Sequence, residues 1–423
     1  MGDVKRISTE AGMIPEDWDT CTLGDAFTKI EAGVSVNSNE RIASEFFVLK
    51  TSAVRNGIVD VREAKPVIAT DYHRLKCPLQ KRSIVISRMN TPDLVGAVGY
   101  NDEDHKNVFL PDRLWQITED KESRYDFQWL SYLLNLQRFR NAVRSTATGT
   151  SNSMKNISKD RLREIVIPVP DIEEQRTISA AIADIDSLIA SLYELVQKKQ
   201  MIRNGAVQKL ISEEAVIGGV ENTQLEYRIG SIGDFFSGLI GKSKKDFGHG
   251  SSDYITFLNV LSNTIVDIHI LENVDVAESE RQNQVQYGDL LFNTSSETPE
   301  EVGMCAVFLD KDKKPYLNSF CFGFRLKNAS RIDPLFVAYY FNSGEGRNIM
   351  KILAQGATRY NLSKSSFEET HVFFPKYDRQ VEIAQVLLDM DNEIATLKDK
   401  LKKYEKIKAG MMDELLTGKI RLV

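Results

Sequence analysis

DIEEQRTISAAIADIDSLIASLYELVQ, residues 171–197, sets Ile178, Ile182, Ile185, Ile189, Leu192 and Val196 at steps of three, four and seven. That spacing lines one apolar seam along a helix and calls for a second helix against it. The chain supplies one in DRQVEIAQVLLDMDNEIATLKDKL, residues 378–401, where Ile383, Leu387, Met390, Ile394, Leu397 and Leu401 repeat the seam, and Tyr404, Met411 and Leu415 continue it. Pro170, Gln175, Asp184, Asp186, Gly205 and Leu210 return as Pro375, Gln380, Asp389, Asp391, Gly410 and Leu415, each 205 residues further on. A seam requires only the apolar positions, so the matched Pro, Gln, Asp and Gly mark two copies of one element. At about 1.5 Å per residue each helix reaches roughly 55 to 60 Å, long enough to set a distance. The matched seams predict antiparallel packing, with Ile182, Ile189 and Val196 against Leu387, Ile394 and Leu401 and internal pseudo-two-fold symmetry. Asp171 is placed to cap the first helix, with Glu174 completing a capping box.

The repeat extends beyond the helices. Leu23-Gly24-Asp25-Ala26-Phe27 matches Ile232-Gly233-Asp234-Phe235-Phe236, Thr91 to Gly96 matches Thr298 to Gly303, Arg140-Asn141 matches Arg347-Asn348, and Asn156 to Lys159 matches Asn361 to Lys364. A period near 207 residues is too long for a solenoid, so a whole domain plus its helix is duplicated in tandem. The resulting division is a domain at 1–165, a long helix at 170–213, a linker at 214–224, a second domain at 225–373, a second long helix at 376–417 and a tail at 418–423. Phe46–Leu49, Ser83–Ser87, Leu114–Ile117, Ile255–Leu258, Leu290–Phe292 and Phe322–Leu326 read as strands. Residues Phe127–Phe139 and Pro334–Phe341 read as helices. Each domain is expected to be α+β with a small, mostly antiparallel sheet.

The 423 residues are 42% apolar and 27% charged, ordinary globular composition with room for two or three domains. No run of 18 apolar residues and no N-terminal apolar segment appears, so the reading is a soluble cytoplasmic protein without a membrane partner. Four scattered cysteines and five isolated histidines offer neither a disulfide framework nor a metal site. A net charge of −6 excludes indiscriminate coating of nucleic acid.

Local charge points elsewhere. Arg138, Arg140, Arg144, Lys155, Lys159, Arg161 and Arg163 surround a loop of small polar residues, Thr148, Gly149, Thr150, Ser151 and Asn152, with Asp160 the one acid between them. In the second copy Arg347, Lys351, Arg359 and Lys364 surround Gly356 to Asn361, including Tyr360. Cations beside hydroxyl and amide groups are what phosphate and base-edge contacts use. A further basic run in the first half holds Lys81, Arg82 and Arg88 with Asn90; the second half has Lys242, Lys244 and Lys245 in a Gly/Ser-rich loop instead. A shared frame with different polar surfaces suits two domains reading different sequences. From these runs Lys81, Arg82, Arg88, Asn90, Thr148, Thr150, Ser151, Asn152 and Lys155, with Lys242, Lys244, Lys245, Arg359, Tyr360 and Asn361, form the candidate DNA-binding set, although a charged run can also be a plain solvated face.

Catalytic patterns are weak. Gly241-Lys242-Ser243 ends like a phosphate-binding loop, but Phe236 stands where the pattern needs Gly. Asp93 with Asp104 and Lys106 has the loose spacing of a metal-dependent nuclease, echoed by Glu300, Asp312 and Lys314, yet Asp93 sits in a Thr-Pro-Asp turn that explains itself. No cofactor loop or nucleophile set is assignable. A nuclease and a protein-only scaffold stand as alternatives to a DNA reader.

The chain resembles the specificity subunit of a type I restriction-modification system over essentially its whole length. Ile14-Pro15-Glu16-Asp17-Trp18 leading into Leu23-Gly24-Asp25, Ser87-Arg88-Met89-Asn90, the Thr148-Gly149-Thr150 loop, and Ile167-Pro168-Val169-Pro170 followed by Glu173-Glu174-Gln175-Arg176 and Ile178 carry the likeness. The second copy keeps only Pro375 and Gln380 of the last motif, and Tyr227 is matched to Trp18. The resemblance implies a non-catalytic subunit without cofactor, in which two target recognition domains each read half of a split sequence in double-stranded DNA. It also implies that two antiparallel helices hold these domains apart. Two methyltransferase subunits carrying S-adenosylmethionine, and restriction subunits using ATP, are its implied partners.

Overall fold

The computed structural model describes residues 5–27, 29–55, 57–118, 124–148, 154–211 and 224–422. The chain divides into two compact units, Met1–Tyr193 with Lys400–Val423, and Glu194–Asp399. The units are therefore not simply successive along the sequence. The long helices run Ile172–Ile211 and Tyr377–Leu415, 40 and 39 residues, and each contributes one portion to either unit.

The first unit is built on a six-stranded sheet in the order Ile30–Ala32, Leu114–Thr118, Ser83–Ser87, Val98–Asn101, Gly57–Val59 and Val54–Arg55. Its central strand Ser83–Ser87 is buried along its length, because the alternation of side chains serves two cores at once. Ile84 and Ile86 join the core of Trp115, Phe127, Trp129 and Leu133, while Val85 joins Leu49, Val54, Val108 and Leu114 on the other face. The second unit repeats this with Gly233–Ser237, Cys321–Leu326, Leu290–Asn293 and Cys305–Val307: Leu290 and Phe292 enter one core and Leu291 the other. Several sheets, some with parallel pairs such as Tyr254 with Tyr316, take the place of the single small sheet expected.

Local chemistry corrects three sequence assignments. The side-chain oxygen of Thr256 accepts the amide of Asn259 and starts a helix at Phe257–Ser262, so the strand ends at Ile255 and does not include Leu258. Phe127–Phe139 is two helices, Phe127–Asn135 and Gln137–Ser145, parted at the extended Leu136. The match of Leu23-Gly24 to Ile232-Gly233 is three residues out of register. Leu23 N–H donates to Ile165 O and Ile229 N–H to Thr370 O; Gly24 lies against Arg163 and Gly230 against Glu368. Gly230 is thus the counterpart of Gly24, and Tyr227, paired with Val372 as Cys21 is with Ile167, is not the counterpart of Trp18.

The matched polar residues fasten each globular domain to a long helix. Buried Gln175 accepts the Asp126 amide (2.9 Å) and donates to Pro170 O (2.9 Å), while Asp126 caps the helix Phe127–Asn135. Gln380 does the same with the Asp333 amide (2.9 Å) and Pro375 O (2.8 Å). Tyr132 donates to Asp186 (2.9 Å) and Tyr339 to Asp391 (2.8 Å), and burial pushes both phenols well above their usual range, with the nearby carboxylates adding to the shift. Within the first unit Asp186 also pairs with Lys408 (2.6 Å), and Ile178 and Ile182 pack with Met412, Leu415 and Leu416. Within the second, Asp391 pairs with Arg203 (2.9 Å), and Val207 and Ile211 pack with Ile383 and Leu387. Both sets run antiparallel, as expected, but Ile182 and Leu387 have partners other than those anticipated. Charge and tyrosine contacts outside the seam fix a register that the evenly repeated seam leaves open. Glu174 does not close a capping box: Asp171 accepts the amides of Glu173 and Glu174, while the Glu174 carboxylate takes the Trp18 indole N–H and the Arg421 guanidinium.

Candidate nucleic-acid interface

Each unit carries a three-stranded sheet that gathers residues from distant parts of the sequence. In the first, Met89–Asn90, Lys155–Ile157 and Ala147–Thr148 lie side by side, with Asn90 opposite Lys155 and Thr148 opposite Asn156. In the second, Ser295–Ser296, Tyr360–Leu362 and Ala354–Gln355 make the same sheet, with Ser295 opposite Asn361 and Ser296 opposite Tyr360. The sheets thus bring together Arg88, Asn90, Thr148 and Lys155 in one unit and Arg359, Tyr360 and Asn361 in the other. Thr150, Ser151 and Asn152 lie outside the described residues.

Arg88 is half-buried where the strand Ser83–Ser87 passes into this sheet. Its guanidinium is 5.5 Å from the centre of the Trp115 ring, which Lys159 approaches at 5.7 Å, and its Nε is buried without a hydrogen-bond partner. Lys364 over Phe322 at 5.0 Å is the corresponding contact in the second unit. Arg359 is exposed, lies 5.8 Å from the Phe320 ring and donates from Nε to Ser295 Oγ (3.3 Å). Thr148 and Asn361 are exposed. Asn90 is buried and bonded to Ser87 Oγ and the Thr91 amide, so its amide shapes the turn.

Other members of the predicted set fall elsewhere. Lys81 and Arg82 occupy the turn at the far end of Ser83–Ser87 from Arg88, roughly 20 Å away at about 3.4 Å per residue. Lys242 leaves the candidate surface. Its side chain is only 7% exposed and its ammonium pairs with Glu280 at 2.5 Å. That hydrogen bond, followed by the Ala277 amide, lowers Glu280 to about 2. Lys244 and Lys245 are exposed on a turn leading into Phe247–Ile255, a strand of a different sheet.

The basic runs also contain structural cations that composition could not separate from ligand-binding ones. Arg347 is largely buried and donates to Gly303 O (2.9 Å), Glu300 O (2.8 Å) and Val302 O, holding the turn after Thr298-Pro299. Arg144 reaches Asp93 O in the corresponding turn of the first unit, and Lys159 donates to Ile30 O (3.0 Å). Lys351 pairs with Glu300 at 2.9 Å, an acid distant in sequence. Burial raises all four thiols, Cys77 to about 11, so none is an activated nucleophile. Among the described residues no three His, Cys, Asp or Glu are grouped to hold a metal ion, and Asp93 and Asp104 lie off opposite ends of the strand Ser83–Ser87: the Asp93 turn is held at Ser87 by the Gly96 amide, whereas Asn101, which bonds to Glu103 O, is paired with Ser83.

The doubled frame is what the comparisons with known proteins match. The family model for the type I restriction modification DNA specificity domain fits residues 15–200 and again 222–406. The chain belongs to this family. Among curated proteins it is 22% identical to a putative type I restriction enzyme MjaX specificity subunit from Methanocaldococcus jannaschii, covering 98% of this chain and 96% of that one. The MjaVIII specificity subunit of the same organism is also 22% identical, over 97% of this chain and 94% of its own length. The S subunit of a type I restriction-modification system from M. genitalium shares the fold with a TM-score of 0.59 at 17% identity, over 94% of this chain and 96% of that one. A chain from work on complex assembly and conformational transition of the type I R-M system gives 0.56 at 12% identity, over 96% and 99%. This type I specificity chain thus has its recognition-type domain twice, each fastened to a long helix through one Gln, one Asp and one Tyr.

Proposed function

We propose that this type I specificity chain is the DNA-reading subunit of its complex, and that each domain reads one half of a split duplex target. The observation that carries this reading is the pair of three-stranded sheets: one backbone frame occurs twice, with Arg88, Thr148 and Lys155 in one copy where Thr294, Gln355 and Tyr360 stand in the other, Arg359 beside them. A shared scaffold with unlike polar side chains is what two half-sites of unlike sequence require. The long helices set the separation of the half-sites and dock two methyltransferase subunits; restriction subunits join the full assembly in the cytoplasm. The chain itself performs no catalysis.

Mapping methylated adenines genome-wide in cells with and without this gene tests the proposal. A two-part motif methylated only in the presence of the gene is the expected result. Methylation that is unchanged by deletion removes the DNA-reading role. Within the assembled complex, replacing Lys155 or Arg359 by Ala should weaken binding to all sequences and flatten the salt dependence by about one unit of slope, the signature of one lost phosphate contact.

A further inference from the structure

One backbone position beside each reading sheet carries opposite chemistry in the two units. In the first, Arg88 N–H donates to Arg113 O (3.0 Å) and Ile157 N–H to Arg88 O (2.9 Å). In the second, Thr294 N–H donates to Phe320 O (2.8 Å) and Leu362 N–H to Thr294 O (2.9 Å). Arg113 and Phe320 therefore occupy the same place, the residue just before Leu114–Thr118 and Cys321–Leu326 respectively. Arg113 is exposed and, with Lys50, Lys65, Ser35, Ser38 and Thr51, lines a hollow of about 280 Å³. Phe320 is 55% exposed. Its backbone is held on both sides, since its N–H also donates to Asn318 Oδ1 (2.9 Å), and the Arg359 guanidinium lies against its ring.

An exposed phenyl ring beside a cation has no core to complete, whereas an adjacent duplex offers it a thymine methyl or the face of an opened base step. A guanidinium at the same position offers paired donors that suit guanine O6 and N7. Building on the DNA-reading assignment, we propose that Arg113 and Phe320 are specificity-determining residues. Arg113 reads base edges in one half-site by hydrogen bonding, and Phe320 reads the other by apolar contact, with Arg359 beside it on the backbone. The substitution at this one position is part of what makes the two half-sites different.

The test uses the chain purified with its methyltransferase subunits and a duplex library with a randomised core. Wild type should enrich a two-part motif. Phe320→Ala should lose sequence preference in one half only, and its affinity for the wild-type motif should fall about tenfold. Its salt slope should not change, because a phenyl ring releases no counterion. Phe320→Tyr should keep the motif, and Arg113→Ala should lose preference in the opposite half. The proposal is overturned if Phe320→Ala selects the wild-type motif with unchanged affinity, if it blurs both halves equally, or if Phe320→Tyr fails as Phe320→Ala does. A wild-type complex that enriches no motif removes the DNA-reading assignment as well, which separates that failure from the others.

Discussion

At the scale of single residues, the basic side chains divide by what their charge already holds. The Arg347 guanidinium satisfies three carbonyls in a turn, so Arg347→Ala leaves those of the buried Val302 and Gly303 unpaired and should destabilise the second unit by about 3 kcal/mol. Denaturant titration followed by amide exchange in Pro334–Asn342 checks this; an unchanged midpoint contradicts the assignment. Lys242 gives a pH prediction. Glu280 is depressed in the fold to about 2 from 4.5, first by Lys242 and then by the Ala277 amide. Its contribution is therefore complete above about 4.5 and is lost as pH falls from there through about 2. Glu280→Gln should remove that part of the acid sensitivity, measured as faster amide exchange at Ala277 already at neutral pH and a flatter response below pH 4.5.

At the scale of elements, the long helices combine positions with clear work and two without. Gln175, Asp186, Gln380 and Asp391 each carry hydrogen bonds to their domain. The matched Gly205 and Gly410 do not: a Cβ at either would meet no atom within 4 Å, and nothing in the structure explains the match. Replacing either by Ala should stabilise its helix by about 0.5 to 1 kcal/mol, because Gly pays the larger backbone entropy. Thermal unfolding of each variant measures it. A loss of stability would show that the backbone at these positions is approached more closely than the contacts indicate.

At the scale of the molecule, the helix register constrains how the proposed spacing function can be altered. Asp186–Lys408 belongs to one unit and Arg203–Asp391 to the other. A four-residue insertion between Val196 and Ile202 alone would leave one pair or the other out of register. A matching insertion between Ile394 and Leu401 allows both to form. One helical turn adds about 6 Å, and a base-pair step is about 3.4 Å, so the paired insertion should lengthen the gap between half-sites by one to two base pairs and leave their sequences unchanged. Methylome mapping of the paired variant reads this directly. The original gap at full activity would assign the spacing to the partner subunits.

The duplication, the two long helices, their antiparallel pairing and the central strands were legible in the sequence, because each rests on local periodicity or on residues recurring at a fixed offset. Ile178 and Ile383, or Ser83–Ser87 and Leu290–Phe292, announce themselves without reference to anything distant. What the chain order concealed was decided by contacts between remote segments. Arg144 and Arg347 look like phosphate ligands until their carbonyl partners are brought to them. Lys242 looks free until Glu280 folds against it, and Gly233 looks like the partner of Gly24 until Glu368 identifies Gly230. Arg113 and Phe320 stand at the 207-residue offset of the repeat but share no side-chain chemistry, and it is their common backbone hydrogen bond, to Arg88 and to Thr294, that marks them as one position beside the sheets. The sequence determines which segments become helix or strand through short-range pattern; whether a charge is spent or available depends on which group lies opposite it, and that is settled only when the chain has folded.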